Sequence, residues 1–424
     1  MTTEELYKKA LDIHRRYRGK IQVVSKVPFR EYGDLAIYYT PGVAAVSGQV
    51  NKDKDSVFEY TNRGNTIAIV TDGTRVLGLG DIGPEAALPV MEGKSLLFKL
   101  FGGVDAIALC LKTKDPDRLA DMVEALEPSF GGINLEDISK PKCFQITNRL
   151  QQSLEIPYWH DDHHGTGLVV LAGLINALKV VGKKLEEVKV TVGGAGAAGM
   201  AILRFLMKGG VKGENMLVFN TGGIIHEGRK EGMDRWTEEI AQQTNPARKT
   251  GGLNDALRGA DVLITATRPG SWIKRDAIKR MAKDAIVFSL ANPVPEILPE
   301  EAKAGGARIV ATGRSDYANQ INNVLGFPGT FRGALDVRAR KINDQMILAA
   351  VHTLAQLAET KGLSENYILP KANEREIGPK VAAAVAQAAM ESGVARLSIP
   401  GEEVEKNTYK LIDQHQRIIE SIFS

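Results

Sequence analysis

Two hydrophobic periods alternate along this chain. Residues 3–18 set Leu6, Ala10, Leu11, His14 and Tyr17 at helical spacing, which predicts an amphipathic opening helix. Residues 66–80, TIAIVTDGTRVLGLG, read as two β-rich runs around a Thr-Asp-Gly-Thr turn, a hairpin signal. Short apolar runs at 104–111, 131–135 and 156–159 predict buried strands, with helical patterns at 115–126 and 139–154 between them. The first region, to about residue 165, is therefore α/β.

Beyond it the alternation becomes regular. A helical stretch at 166–181 precedes a strand at 188–192, a glycine-rich turn and a helix running to about Lys208. Strands follow at 216–219, 261–267, 285–290 and 307–311, a pattern that predicts a doubly wound parallel sheet. The alanine-rich C-terminal segment is helical, as at Lys341–Lys361 and Gly378–Ser392, and is expected to pack back onto the rest or to form an oligomer contact. The fold class expected is α/β: an N-terminal α/β domain (1–165), a Rossmann-type dinucleotide-binding domain (166–340) and a C-terminal helical segment (341–424).

Composition narrows the function classes. Of 424 residues, 54 are Lys or Arg and 51 Asp or Glu, a net +3 that gives no sign of a nucleic-acid or membrane partner. A 43% hydrophobic share excludes disorder as the main theme. The two cysteines, Cys110 and Cys143, lie far apart, which fits a reducing cytoplasm rather than a disulfide framework. The first 18 residues are charged throughout and lack the apolar core of a signal peptide. The apolar stretch Gly167–Gly182 contains Asn176 and Lys179 and falls short of the ~20 residues that span a bilayer.

Gly194, Gly196 and Gly199 fit G-x-G-x-x-G between a predicted strand and a predicted helix. The first glycine makes the turn, the second admits a pyrophosphate, and the third lets helix and strand pack closely. Ala195, Ala197 and Ala198 complete that cofactor loop, and the competing reading is a glycine-rich turn without a ligand. The second strand ends in Asn220-Thr221-Gly222-Gly223, without the acid that usually binds an NAD ribose. Arg229 and Lys230 follow, so the expected cofactor is NAD or NADP with a lean to NADP; both residues also read as solvated loop charges.

Two acidic pairs, Glu136-Asp137 and Asp161-Asp162, follow predicted strands. Adjacent acids repel unless solvated or neutralised, and three carboxylates with water and substrate oxygens suit Mg²⁺ or Mn²⁺. Taken singly, each pair also reads as a solvated turn. His160, His163 and His164 open a rival reading, a metal-dependent hydrolase using zinc or iron. That reading leaves the glycine loop unexplained and lacks the HExxH spacing. The histidines are better placed behind the metal ligands or at a helix start.

Several motifs in order resemble the malic enzyme family in its short, prokaryotic form. They are Tyr38-Tyr39-Thr40-Pro41-Gly42, Thr71-Asp72-Gly73-Thr74 with Leu77-Gly78-Leu79-Gly80, Glu92-Gly93-Lys94, and Asn134-Leu135-Glu136-Asp137. His160-Asp161-Asp162-His163-His164-Gly165-Thr166, the glycine loop, Ala291-Asn292-Pro293 and Asn322-Asn323 complete the series, which spans Asp34 to Asp336. The resemblance implies oxidation of L-malate with NAD(P) and a divalent metal, then decarboxylation to pyruvate and CO2. It implies Glu136, Asp137 and Asp162 as metal ligands, Lys94 as general base, Tyr39 as general acid and Asp161 as the residue that orients Lys94. Asn292 and Asn322 would hold substrate and nicotinamide, and Arg75 a substrate carboxylate. His163 stands where the resemblance leads one to expect glutamine.

A lysine base works near neutral pH when its pKa is depressed, by burial or a neighbouring cation, and the small apolar run after Lys94 is compatible with burial. Alternatives are a malolactic enzyme that retains its NAD, the hydrolase, and a non-catalytic dinucleotide sensor. The sensor has no need of the acids and lysine present here. The resemblance also implies a homo-oligomer, at least a dimer, and leaves open whether Tyr39 or Lys94 is supplied across a subunit boundary.

Overall fold

The architecture follows from two parallel sheets, seen in a computed structural model that describes residues 3–423. The first has four strands in the order β2-β1-β3-β4: β1 (Thr66–Thr71), β2 (Asp105–Cys110), β3 (Gly132–Leu135) and β4 (Tyr158–His160). Its register sets Val70 beside Leu135, and Leu135 beside His160. The chain segments that leave β1, β3 and β4 therefore emerge side by side at one edge. Every residue of these three strands is buried, as expected for strands covered on both faces.

The hairpin expected at 66–80 is not formed. Only its first run is a strand, and the second is a loop held by a single bridge between Val76 and Gly80. Both edges of β1 are taken by parallel partners, β2 and β3, so no edge is left for a returning strand. The loop instead turns to β3, where Arg75 N–H donates to the Asp137 carbonyl at 3.0 Å.

The second sheet has six strands in the order β10-β9-β8-β5-β6-β7: β5 (Val190–Gly193), β6 (Met216–Asn220), β7 (Gly223–Ile224), β8 (Val262–Thr265), β9 (Ala285–Ser289) and β10 (Ala307–Thr312). All pairings are parallel except the short β6–β7 pair. The chain winds one way from β5 to β6 and the other way from β8 to β10, which puts a ligand crevice at the carboxyl ends of β5 and β8. This is the doubly wound sheet expected.

The helix Thr166–Val181 is almost wholly buried, and its Asn176 amide donates to the carbonyls of Ala355 and Ile368. With the preceding turn it reaches 21 residues, long and apolar enough by composition to cross a membrane, yet 67% of it is buried inside the molecule. Packing rather than lipid accounts for its apolar surface. The expected opening helix is present as Thr3–Tyr17, and Leu6, Tyr7 and Leu11 on it are exposed.

The C-terminal helices Asp344–Thr360, Ile377–Glu391 and Gly401–Phe423 pack back onto the older elements, as expected. The closest approach is at Gly378, where an added Cβ would lie 1.9 Å from the Phe101 carbonyl oxygen at the end of the helix Gly83–Gly102. Gly378→Ala should therefore push two helices apart and cost about 1–3 kcal/mol, read as a lowered Tm. An unchanged Tm would mean that this joint is not under close-packing constraint.

Candidate active site

Parallel strand ends bring the acids together. Glu136 and Asp137 follow β3, and Asp161 and Asp162 follow β4 in a π-type turn, Asp161–Gly165, that leads into the helix Thr166–Val181. Lys94 reaches this edge from the middle of the helix Gly83–Gly102. Its Nζ lies 2.5 Å from Asp161 Oδ2 and 3.1 Å from Glu136 Oε1, and 4.2 Å from the centre of the Phe327 ring. Arg75 Nη1 stands 3.8 Å from Asp162 Oδ1.

Asp161 is fully engaged. Besides Lys94 it accepts from Trp159 Nε1 at 3.0 Å and from the Asn323 amide at 2.9 Å. Burial alone would raise its pKa, but Lys94 and these donors outweigh that and hold it below the usual carboxylate range. Lys94 departs from the expectation. Burial works to lower its pKa, yet the charges of Asp161 and Glu136 overcome burial and the net shift is upward. Two carboxylates facing one ammonium outweigh desolvation, so in this arrangement the lysine is held protonated.

The other acids go the opposite way. Burial, then the neighbouring Asp162 charge, raises Asp137 to about 7. Burial also raises Glu136, and Asp161, Asp137 and Asp162 add to it against the pull of Lys94. Four carboxylates, Glu136, Asp137, Asp161 and Asp162, face two cations, Lys94 and Arg75. The formal excess of two negative charges equals the charge of a divalent cation. Asp162 Oδ2 is buried with no hydrogen-bond partner, which leaves a lone pair for such an ion. The donor set of Glu136, Asp137 and Asp162 thus fits Mg²⁺ or Mn²⁺. Asn134 donates to Glu136 Oε2 at 2.9 Å and fixes how that carboxylate is presented.

The glycine loop lies at the crevice of the second sheet. Gly194 adopts φ +102°, and a Cβ on Gly199 would sit 1.9 Å from the Gly194 carbonyl oxygen. The helix Ala197–Gly209 starts directly after Gly196, so its N-terminus is turned toward the loop, with Ala195 and Ala197 buried and Ala198 half-buried. Lys140, three residues beyond Asp137, donates to the Ala195 carbonyl at 2.9 Å and ties the carboxylate edge to this loop. Asn220, at the end of β6, accepts from Gly222 N–H at 3.0 Å and from Arg229 Nη2 at 2.7 Å.

Not every expected residue joins the cluster. Tyr39 ends the short helix Asp34–Tyr38 and is 71% exposed, and among the described residues no hydrogen bond or ring contact links it to Lys94. Asn292 is exposed on the loop after β9. Asn322 accepts from Val324 N–H and caps the turn Asn323–Leu325, while its neighbour Asn323 is the residue that touches Asp161. Of the histidines, His164 Nδ1 accepts from the His160 backbone N–H at 3.0 Å, and burial takes its pKa down to about 3. Among the described residues no hydrogen bond or ion pair joins a histidine to the carboxylates.

Sequence reasoning passed over Glu296 and Lys140, and quoted Asn323 in a motif without giving it a role. Glu296 is completely buried and accepts from Thr267 N–H (2.7 Å), Thr267 Oγ1 (2.9 Å), Ser289 Oγ (2.9 Å) and Ala291 N–H (3.1 Å). It fastens the loop after β8 to the loop that carries Asn292. The only signal in the sequence was an acid set between prolines and an apolar pair, Pro293-Val294-Pro295-Glu296-Ile297-Leu298.

Comparison with known proteins agrees with this geometry. Residues 18–151 match the family described as malic enzyme, N-terminal domain, and residues 164–390 match malic enzyme, NAD binding domain. A bifunctional malic/malolactic enzyme of Bacillus subtilis is 50% identical over 96% of this chain and 98% of its own length. An NAD-dependent malic enzyme of Geobacillus stearothermophilus is 51% identical over 89% of this chain and 78% of its own. The crystal structure of a malic enzyme from Pyrococcus horikoshii superposes with a TM-score of 0.94 at 52% identity, covering 98% of each chain. The chain belongs to the malic enzyme family.

Proposed function

We propose that the chain oxidises L-malate with NAD(P) and decarboxylates the product to pyruvate and CO2, with Mg²⁺ or Mn²⁺ held by Glu136, Asp137 and Asp162. The observation that carries this reading is Lys94 Nζ set between Asp161 and Glu136 at the strand edge that Lys140 ties to the glycine loop. A divalent ion there would polarise the substrate hydroxyl and carboxylate oxygens and offset the Glu136 charge that keeps Lys94 protonated.

Lys94 then takes the proton of the C2 hydroxyl, kept in position by Asp161, which Trp159 and Asn323 hold in turn. Gly194, Gly196 and Gly199 would hold the pyrophosphate of NAD(P), whose nicotinamide would supply the acceptor for the C2 hydride, so that C2 becomes a ketone. Arg75 offers a guanidinium to a substrate carboxylate, and Asn292 and Asn322 serve substrate and nicotinamide. Loss of CO2 leaves the electron pair of the broken bond at C3, where Tyr39 delivers a proton to give pyruvate. The division into domains at 165 and 340 and a cytoplasmic location, supported by the free thiols Cys110 and Cys143, belong to the same reading.

Tyr39 bears on assembly. Val23, Phe29, Tyr32, Ile37 and Tyr39 are all exposed in the segment before β1, an apolar surface that a second copy would cover. We read the chain as a homodimer in which Tyr39 serves the partner's site. Lys94→Ala should lower kcat for malate by about 10²–10⁴-fold. Tyr39→Phe should lose decarboxylation more than reduction of added pyruvate or oxaloacetate. Mixing the two inactive variants should restore part of the activity; no recovery would place Tyr39 and Lys94 in the same chain.

For the cofactor, Arg229 favours NADP. Its guanidinium is held at the end of β6 by Asn220 and by the Gly223 carbonyl at 3.0 Å, where a carboxylate would otherwise receive the ribose. Arg229→Ala should lower kcat/KM for NADP more than for NAD; equal loss, or a strong NAD preference of the parent chain, would reverse the assignment. The Bacillus relative's name favours a second reading, a malolactic activity, which the same assay reveals as lactate formed without release of reduced cofactor.

The metal carries a pH dependence of definite sign. Asp137 is raised to about 7 without an ion, so below that pH a proton competes for the ligand. An acid whose folded pKa is raised contributes stability at low pH that is lost as pH rises through about 7, and bound cation should restore it. The Tm gain on adding Mn²⁺ should thus be larger at pH 8 than at pH 5.5. A gain independent of pH would remove Asp137 from the ligand set.

A further inference from the structure

A second group of ligating side chains lies outside the carboxylate cluster. Cys143 is buried on the helix Lys142–Ser153, His160 ends β4, and His163 sits in the turn Asp161–Gly165. One ligand atom from each, the cysteine sulfur and an imidazole nitrogen of each histidine, falls within 4.8 Å of the others. The reaction described above uses none of the three.

Their hydrogen bonding is incomplete. Both ring nitrogens of His160 and Nε2 of His163 are shut off from solvent without a hydrogen-bond partner. Orphaned polar atoms in such a place are costly, so three together call for an occupant. A sulfur and two imidazoles select borderline-soft ions of the zinc class and disfavour Mg²⁺, which prefers oxygen. Bond lengths of about 2.0–2.3 Å to a tetrahedral ion require ligand atoms about 3.3–3.6 Å apart, a contraction of at most about 1.5 Å from the present set.

The rings show which part must move. His160 and His163 stack with centroids 4.0 Å apart and planes 14° apart, so their lone pairs run in nearly parallel planes. His163 also stacks on Phe144, 5.1 Å away and 13° off parallel. The His160 ring, with no hydrogen bond to break, is the one free to turn its lone pair toward the sulfur. With the glutamine that the family resemblance leads one to expect at 163, one of the two imidazoles would be missing.

We propose that Cys143, His160 and His163 form a second cation site, for a thiophilic divalent ion such as Zn²⁺, Co²⁺ or Cd²⁺, separate from the oxygen site of Glu136, Asp137 and Asp162. An ion there would brace the turn that carries Asp161 and Asp162. The fourth position is open to water.

The test is Co²⁺ binding to the intact protein in excess Mg²⁺, which occupies the oxygen site and leaves no sulfur signal. The expected result is one tightly held Co²⁺ per chain with a near-ultraviolet sulfur-to-cobalt charge-transfer band, bleached by Zn²⁺. Cys143→Ser should abolish the band, Cys110→Ser should keep it, and His163→Gln should weaken binding by at least about tenfold. The proposal fails if the wild-type protein binds Co²⁺ without the band, a result that needs no variant to fold. It fails equally if Cys143→Ser keeps the band, or if His163→Gln binds as tightly as the parent, which would mean that buried water satisfies the rings. None of these readouts depends on malate turnover.

Discussion

The parallel register of β1, β3 and β4 is the constraint from which the site follows. Because Leu135 pairs with both Val70 and His160, residues 136–137 and 161–162 are carried to one edge whatever their charges prefer. The strands are apolar on both faces, and burying them drives the pairing. Four acids are thereby placed where isolated ionised carboxylates would be expensive. The chain offsets part of that cost with Lys94 and Arg75 and with neutral donors from Trp159, Asn134 and Asn323. The remainder is the demand for a cation.

Much of the fold was legible because each buried strand is a short apolar run and each helix between them carries the longer period. The helix at 166–181 and the strand at 285–289 needed little beyond that. The hairpin at 66–80 failed for a reason no local pattern holds: whether a strand's edges are already taken is decided by residues 39 and 65 positions away. The opening helix shows the complementary limit: its periodicity was read correctly, yet Leu6 and Leu11 on its apolar side stay exposed.

The motifs pointed to Lys94 and the acids that the structure brings together, but not to their electrostatic arrangement, and Tyr39 stands apart from that group. Motif resemblance placed Lys94, Glu136 and Asp161, but the sign of the lysine's shift depends on which atoms face it, and here those are two carboxylate oxygens. Glu296 and Lys140 escaped for a related reason. Their work is to fasten one loop to another, through partners 5 to 55 residues away, and no fixed spacing marks such a role.

On the proposed reading Glu136 has two duties that compete. Its Oε1 faces Lys94, while Asn134 holds Oε2. As partner to the lysine it strengthens the ammonium and opposes proton abstraction; as donor to a cation it withdraws that charge from the lysine. Asp161, committed to three donors and kept ionised, has no such alternative and holds Lys94 in place in either case. On that reading Asp161 would hold the base in place, and a cation bound at Glu136 would relieve only the Glu136 share of the charge that keeps Lys94 protonated.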